Sequence, residues 1–161
     1  MPDYKELINA MIEYYSGDPK RIQHFLKVYT FSRLIGEMEA LDANTLYILE
    51  TAAIVHDIGI KVSEEKYGDC NGKHQELEGP SIAKEMLEKL NVDSKVVDRV
   101  CYLIGHHHTY DNIKGLDYQI LVEADFLVNF YEDQVSRDSI IHSVDKIFKT
   151  KSGRDICSKI F

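Results

Sequence analysis

Tryptophan is absent from the 161 residues, and cysteine occurs only as Cys70, Cys101 and Cys157. An odd number of cysteines without a C-x-x-C pair supplies no disulfide framework, so a reducing cytoplasm is the expected setting. Cys101 lies in an apolar helical stretch and reads as a small core residue. Basic residues are the scarcer charge, 19 Lys plus Arg against 27 Asp plus Glu, for a net charge of −8. That balance argues against a general binder of nucleic-acid polymers and against a protein held on anionic membranes by charge. No run approaches the roughly 18 apolar residues of a membrane-spanning helix. The first residues, Met1 to Glu6, lack the basic-then-apolar order of a secretory signal. Internal repeats, low-complexity tracts, linker-like runs and sustained two-residue alternation are also missing. What is present is an ordinary globular composition, 44% hydrophobic and 29% charged, long enough to bury a core unaided. The expectation is one all-α domain over residues 1–161.

Apolar residues recur at helical spacing almost throughout. Leu7, Ile8, Met11, Ile12 and Tyr15 form one stripe, ended by Gly17. Asp18 and Pro19 suit an N-cap and a first-turn proline, opening a second helix to about Ala40. Asp42 or Asn44 caps a third, whose Leu46, Leu49, Ala52 and Ala53 lead to His56-Asp57. From Gly59 to Gly79 polar residues and turn signals predict a long loop. Pro80 then opens a helix with Ile82, Ala83, Met86 and Leu90 facing inward. Asp93 caps the next, in which Val96, Val97, Val100, Cys101 and Ile104 lead to His106-His107-His108. Ile120, Leu121, Ala124, Leu127 and Val128 mark another helix. Ile140, Ile141, Val144, Ile147 and Phe148 mark the last amphipathic one, among C-terminal helices placed in residues 131–161.

The chemistry-bearing residues interrupt these apolar stripes. His56-Asp57 ends a helix behind the apolar run Ala52 to Val55, where an imidazole and a carboxylate need a partner. A metal ion is one such partner and an ion pair is the other. His24 stands among Ile22, Phe25, Leu26 and Val28, and Asp125 breaks the run Ile120 to Val128. Three helices thus each offer a polar ligand type to one apolar centre, and neutral imidazole with carboxylate suits a transition-metal ion. His142 has no such company and is expected to be structural or exposed.

These residues resemble the HD-domain superfamily of metal-dependent phosphohydrolases. Its pattern is an early helical His, a His-Asp pair at a helix end and a late Asp. His24, His56, Asp57 and Asp125 match it in order, spacing and context. The segments Ala52 to Gly59, Gly79 to Leu87, Ile104 to His108 and Glu123 to Leu127 also look like the family. The resemblance covers about residues 20–130. It implies a single compact HD-type helical bundle in which those four residues hold a divalent metal ion (Mn, Fe, Co, Ni, Zn or Mg). The implied activity is hydrolysis of a small phosphorylated compound, possible nucleotides included, with Asp57 binding the metal and orienting the attacking water.

Family members with two metals place a further histidine four residues before a glycine. Here that position, counted from Gly79, is Gln75, while His74 stands one residue out of register beside Glu76 and Glu78. The family's I-x-x-H spacing from Ile104 points to His107, ahead of His106 and His108, as second-metal ligand, substrate contact or proton donor. Lys61, Lys66 and Lys73 are candidate phosphate contacts from the predicted loop. Ile60 replaces the lysine of the cyclic-dinucleotide-cleaving branch, whose GYP signature is absent, so that activity is not implied. Two alternatives accompany the hydrolase reading. One is a di-iron HD-fold oxygenase that recruits His74 and the triplet. The other is a non-catalytic, metal-bound nucleotide-sensing module in which Tyr67, Tyr110 or Tyr118 stacks on a base. No heptad seam indicates an oligomeric state.

Overall fold

A computed structural model of the chain describes residues 3–161, and among them there are nine α-helices and no strands. In order they are α1 (Lys5–Tyr14), α2 (Pro19–Met38), α3 (Ala43–Val55), α4 (Ile60–Tyr67), α5 (Gly72–Lys89), α6 (Ser94–Ile104), α7 (Leu116–Glu132), α8 (Arg137–Ile147) and α9 (Lys151–Ile160). The expected caps form. Asp18 accepts the Arg21 amide with Pro19 in the first turn of α2, Asp42 accepts the Asn44 and Thr45 amides, and Asp93 accepts the Lys95 amide.

The centre of the bundle is α3 and α7. Every residue from Ile48 to Val55 is buried, as is every residue from Asp117 to Asp125. Helices α1, α2 and α6 pack on α3, while α2 and α9 pack on α7. A helix buried on all sides must satisfy its polar side chains internally. Accordingly Glu50 accepts the Tyr4 hydroxyl, and Glu123 accepts the backbone N–H groups of Lys149 and Thr150 at the start of α9. Cys101 is half-buried, with its thiol donating to the Pro80 carbonyl at 3.3 Å. His142 is exposed.

The predicted loop from Gly59 to Gly79 is mostly helix. Residues 60–67 form α4, of which only Ile60 and Ser63 are buried, so its composition is as polar as that of a loop. The turn signals are real but occupy only residues 68–71. Gly68 ends α4 at φ 72°, and the Asn71 side chain caps α5. Pro80 therefore lies inside α5 rather than opening it. A proline there removes the N–H that would bond the Glu76 carbonyl, a single loss that the flanking turns tolerate. The C-terminal region contains α8 and α9, and Ile141, expected on the inner face of α8, is 50% exposed.

Candidate metal centre

Four side chains from three elements meet at one point. His24 comes from α2, His56 and Asp57 from the turn that ends α3, and Asp125 from α7. His24 Nε2 lies 3.1 Å from Asp57 Oδ2, 3.2 Å from Asp125 Oδ1 and 3.2 Å from His56 Nε2. His56 Nε2 lies 3.2 Å from Asp57 Oδ2 and 3.6 Å from Asp125 Oδ1. Two ligands each about 2.1 Å from one ion sit about 3.0 Å apart at a right angle and about 3.4 Å apart at the tetrahedral angle. The observed spacings have that size. Two imidazole nitrogens facing each other and two carboxylate oxygens are also the mixed N/O donor set that borderline divalent ions accept. The residues therefore fit a metal ion.

Each ligand is aimed by a partner outside the cluster. His56 Nδ1 lies 2.7 Å from the Ala53 carbonyl, an acceptor only, so Nδ1 carries the hydrogen and Nε2 turns inward. His24 Nδ1 is bonded in the same way to Glu132, the last residue of α7. Asp125 Oδ1 accepts from Asn129 Nδ2 at 3.0 Å, one helical turn along. The backbone of the His56–Gly59 turn is held from α1: the Tyr15 hydroxyl donates to the Asp57 carbonyl at 2.6 Å and the Tyr14 hydroxyl to the Ile58 carbonyl at 3.1 Å.

Electrostatics follows from this crowding. Burial disfavours charge on His24, but its hydrogen bonds to the Asp125 and Asp57 carboxylates outweigh it and push its pKa up to about 11. The same opposition, with Asp57 as the main attracting charge, raises His56 to about 10. Burial would raise Asp57, yet the charge of His56 and hydrogen bonds from His107 and His24 hold it well below the carboxylate range. Asp125 is lowered against the same burial by His24 and His56. The carboxylates thus favour positive charge on both imidazoles, and a divalent ion would supply positive charge at the same point.

Beyond Asp57 the histidine triplet divides. Helix α6 ends at Ile104, so His107 and His108 are freed from helical spacing and both point toward the centre. His107 is fully buried, with Nδ1 at the Ile104 carbonyl and Nε2 3.3 Å from Asp57 Oδ1. His108 Nε2 lies 2.9 Å from Gln75 Oε1, and burial together with the charge of His107 lowers its pKa to about 4. Asp57, His107 and His108 form a second group that could hold an ion. His106 turns outward, stacks on Tyr102 and bonds that residue's carbonyl.

Four residues considered from sequence lie elsewhere. His74 pairs with Asp69 and stacks on Tyr67, because one position of slippage on α5 turns it away while Gln75 faces inward. Lys61 reaches over the Tyr14 ring, Lys66 binds Glu78, and Lys73 is exposed. Helix α4, formed where a loop was expected, carries Lys61 and Lys66 along its outer surface. The cavity over the metal centre, about 290 Å³, instead has Lys20 and Arg21 in its lining, beside His24, Asp57, Asp125 and Glu132. Glu132, Asn129, Gln75, Lys20 and Arg21 were not singled out by the sequence reading as site residues. Three signals pointed to them: the i+4 and i+7 spacing of Asn129 and Glu132 from Asp125, the position of Lys20 and Arg21 one turn before His24, and the place of Gln75 four residues before Gly79.

A fold of helices around a buried His/His-Asp/Asp cluster defines an HD-type protein. The HD domain family model matches residues 21–149, and the chain belongs to that family. A similar solved structure is the crystal structure of a predicted HD superfamily hydrolase from an uncultured Thermotogales bacterium. It superposes with a TM-score of 0.72 at 24% identity, over 98% of this chain and 84% of that one, a likeness of fold. No curated protein matches the chain. Among the described residues no helix is long and apolar enough to cross a membrane.

Proposed function

We propose that the protein is a metal-dependent phosphohydrolase acting on a small phosphorylated compound, a nucleotide being one such substrate. The observation that carries this is the convergence of His24, His56, Asp57 and Asp125 at ligand spacing beneath a cavity of about 290 Å³ with Lys20 and Arg21 in its lining. A divalent ion held by His24, His56, Asp57 and Asp125 would supply Lewis acidity to water and to phosphoryl oxygens. Asp57 offers Oδ2 to the ion site and Oδ1 to His107, so it can orient the attacking water between them. His107 turns Nε2 toward Asp57 Oδ1, which places that nitrogen to pass a proton between the attacking or leaving oxygen and the protein. Lys20 and Arg21 stand in the lining of the cavity, but Arg21 is paired with Asp18 and Glu64, and the lining also carries Asp57, Asp125, Glu132 and Asp133. A bound ion would therefore have to supply most of the positive charge that a phosphate meets in a protein of net charge −8.

His74 is engaged with Asp69 and Tyr67 and so speaks against the di-iron alternative, whereas the group of Asp57, His107 and His108 leaves that alternative a second site. Close to two ions per chain, especially iron, would favour it. The test is metal content per chain, by mass spectrometry of protein purified without chelator or nickel resin, followed by phosphate release from a panel of phosphorylated compounds. About one ion per chain, lost in Asp125→Ala, and turnover abolished in Asp57→Ala with helix content intact are the expected results. Full activity in Asp57→Ala would sink the mechanism. Tight nucleotide binding by the metal-loaded protein without turnover would favour the sensing module.

A further inference from the structure

Helices α2 and α7 share a polar seam that runs outward from the metal centre. Helix α2 contributes His24 and, one turn on, Lys27, while α7 contributes Asp125, Asn129 and Glu132 at i, i+4 and i+7. At its outer end Glu132 accepts from two side chains at once, His24 Nδ1 on Oε1 and Lys27 Nζ on Oε2 at 2.9 Å. The side chain of Glu132 is 12% exposed and that of Lys27 is 41% exposed, so the carboxylate is largely shielded from water while the lysine beside it lies at the surface.

The three imidazoles that turn Nε2 to the Asp57 or Asp125 carboxylates are not held alike at Nδ1. His56 and His107 donate Nδ1–H to backbone carbonyls, those of Ala53 and Ile104, each at 2.7 Å. Of the three, His24 alone donates its Nδ1–H to a carboxylate. A full negative charge on Nδ1–H makes the opposite nitrogen a stronger electron donor than a neutral carbonyl does, and two-point anchoring of Glu132 fixes the ring plane.

We propose that Glu132 is a positioning residue for the metal ion, acting through His24, with Lys27 holding the carboxylate in place. This rests on the metal-centred reading above. A simple tie between α2 and α7 would stabilise the fold equally with or without an ion, whereas a positioning residue acts on metal affinity.

The test uses Co²⁺ as the probe, with dissociation constants measured by equilibrium dialysis on the metal-free full chain and its variants. Glu132→Ala should weaken Co²⁺ binding about 10- to 100-fold. Glu132→Gln, which keeps an acceptor oxygen without the charge, should fall between, and Lys27→Met, which removes one of the two anchors, should weaken binding by a smaller factor than Glu132→Ala. In the Zn²⁺-loaded protein the His24 Nδ1–H should give a slowly exchanging ¹⁵N-attached proton signal that Glu132→Ala loses. Native Co²⁺ affinity in Glu132→Ala, with the native chain binding Co²⁺ normally, overturns the inference alone. Failure of the native chain to bind Co²⁺ overturns the metal-centred reading and this inference with it. If Glu132→Ala does not fold, Glu132→Gln decides: weaker binding with faster proton exchange supports the inference, and native values in both overturn it.

Discussion

Gly59 and Gly79 meet backbone to backbone, and the contact is one-sided. A Cβ on Gly59 would lie 2.7 Å from the Gln75 carbonyl and 2.9 Å from the Gly79 nitrogen, whereas a Cβ on Gly79 would meet the Gly59 nitrogen at an ordinary 3.7 Å. The turn that presents His56 and Asp57 is thereby pressed against α5, the helix that brings Gln75 to the cavity. Gly59→Ala should cost about 1–3 kcal/mol, because rigid backbone and not a flexible side chain stands in the way. Gly79→Ala should be neutral or stabilising, as alanine gains roughly 1 kcal/mol over glycine inside a helix. Urea unfolding of the two variants separates them, and equal effects would contradict the asymmetry.

Tyr15 ties α1 to the back of the same turn through the Asp57 carbonyl. Burial pushes its phenol pKa up, so the hydroxyl remains a donor at all ordinary pH values. Tyr15→Phe should leave that carbonyl unpaired and cost about 1–3 kcal/mol. Tyr14→Phe, acting at 3.1 Å from a less buried ring, should cost less. Denaturation midpoints give the ranking, and a larger loss in Tyr14→Phe would reverse the assignment.

Ion entry should expel protons. His24 and His56 carry pKa values raised to about 11 and about 10, above the ordinary imidazole value. Their protonation therefore stabilises the metal-free fold fully below about pH 6.5, and that contribution disappears as pH rises through 10 to 11. Metal ligation needs neutral imidazole, so near neutral pH about two protons should leave per ion and affinity should climb with pH. Calorimetric titration of Co²⁺ in buffers of different ionisation enthalpy counts them. A count near zero would mean that the imidazoles are already neutral.

The triplet should be functionally unequal. His107 faces Asp57 from full burial, and His106 stacks on Tyr102 away from it. His107→Gln should lower turnover about 10²- to 10⁴-fold, the span of a lost general acid or base. His106→Gln and His74→Gln should leave turnover within about threefold of native. Steady-state assays on the substrate found by phosphate-release screening compare the three, and a large loss in His106→Gln would misplace the acid.

How much of this was legible differs from residue to residue. The all-helical class, the caps Asp18, Asp42 and Asp93, and the grouping of His24, His56, Asp57 and Asp125 are local: each rests on spacing, cap chemistry or a polar residue inside an apolar run. Helix α4 was not legible, since a helix with one narrow buried edge has the composition of a loop, and Pro80 concealed the start of α5. Gln75, four residues before Gly79, and Glu132, seven after Asp125, carried only their spacing as a signal. Their roles come from facing His108 and His24, 33 and 108 residues distant along the chain. The sequence by itself thus determined which side chains interrupt the apolar stripes, because burying a charge without a partner is costly enough to leave a pattern. Only the tertiary structure decided which way His74, His106, His107 and His108 point and which carboxylate supports which imidazole, because orientation depends on where helices end and cross.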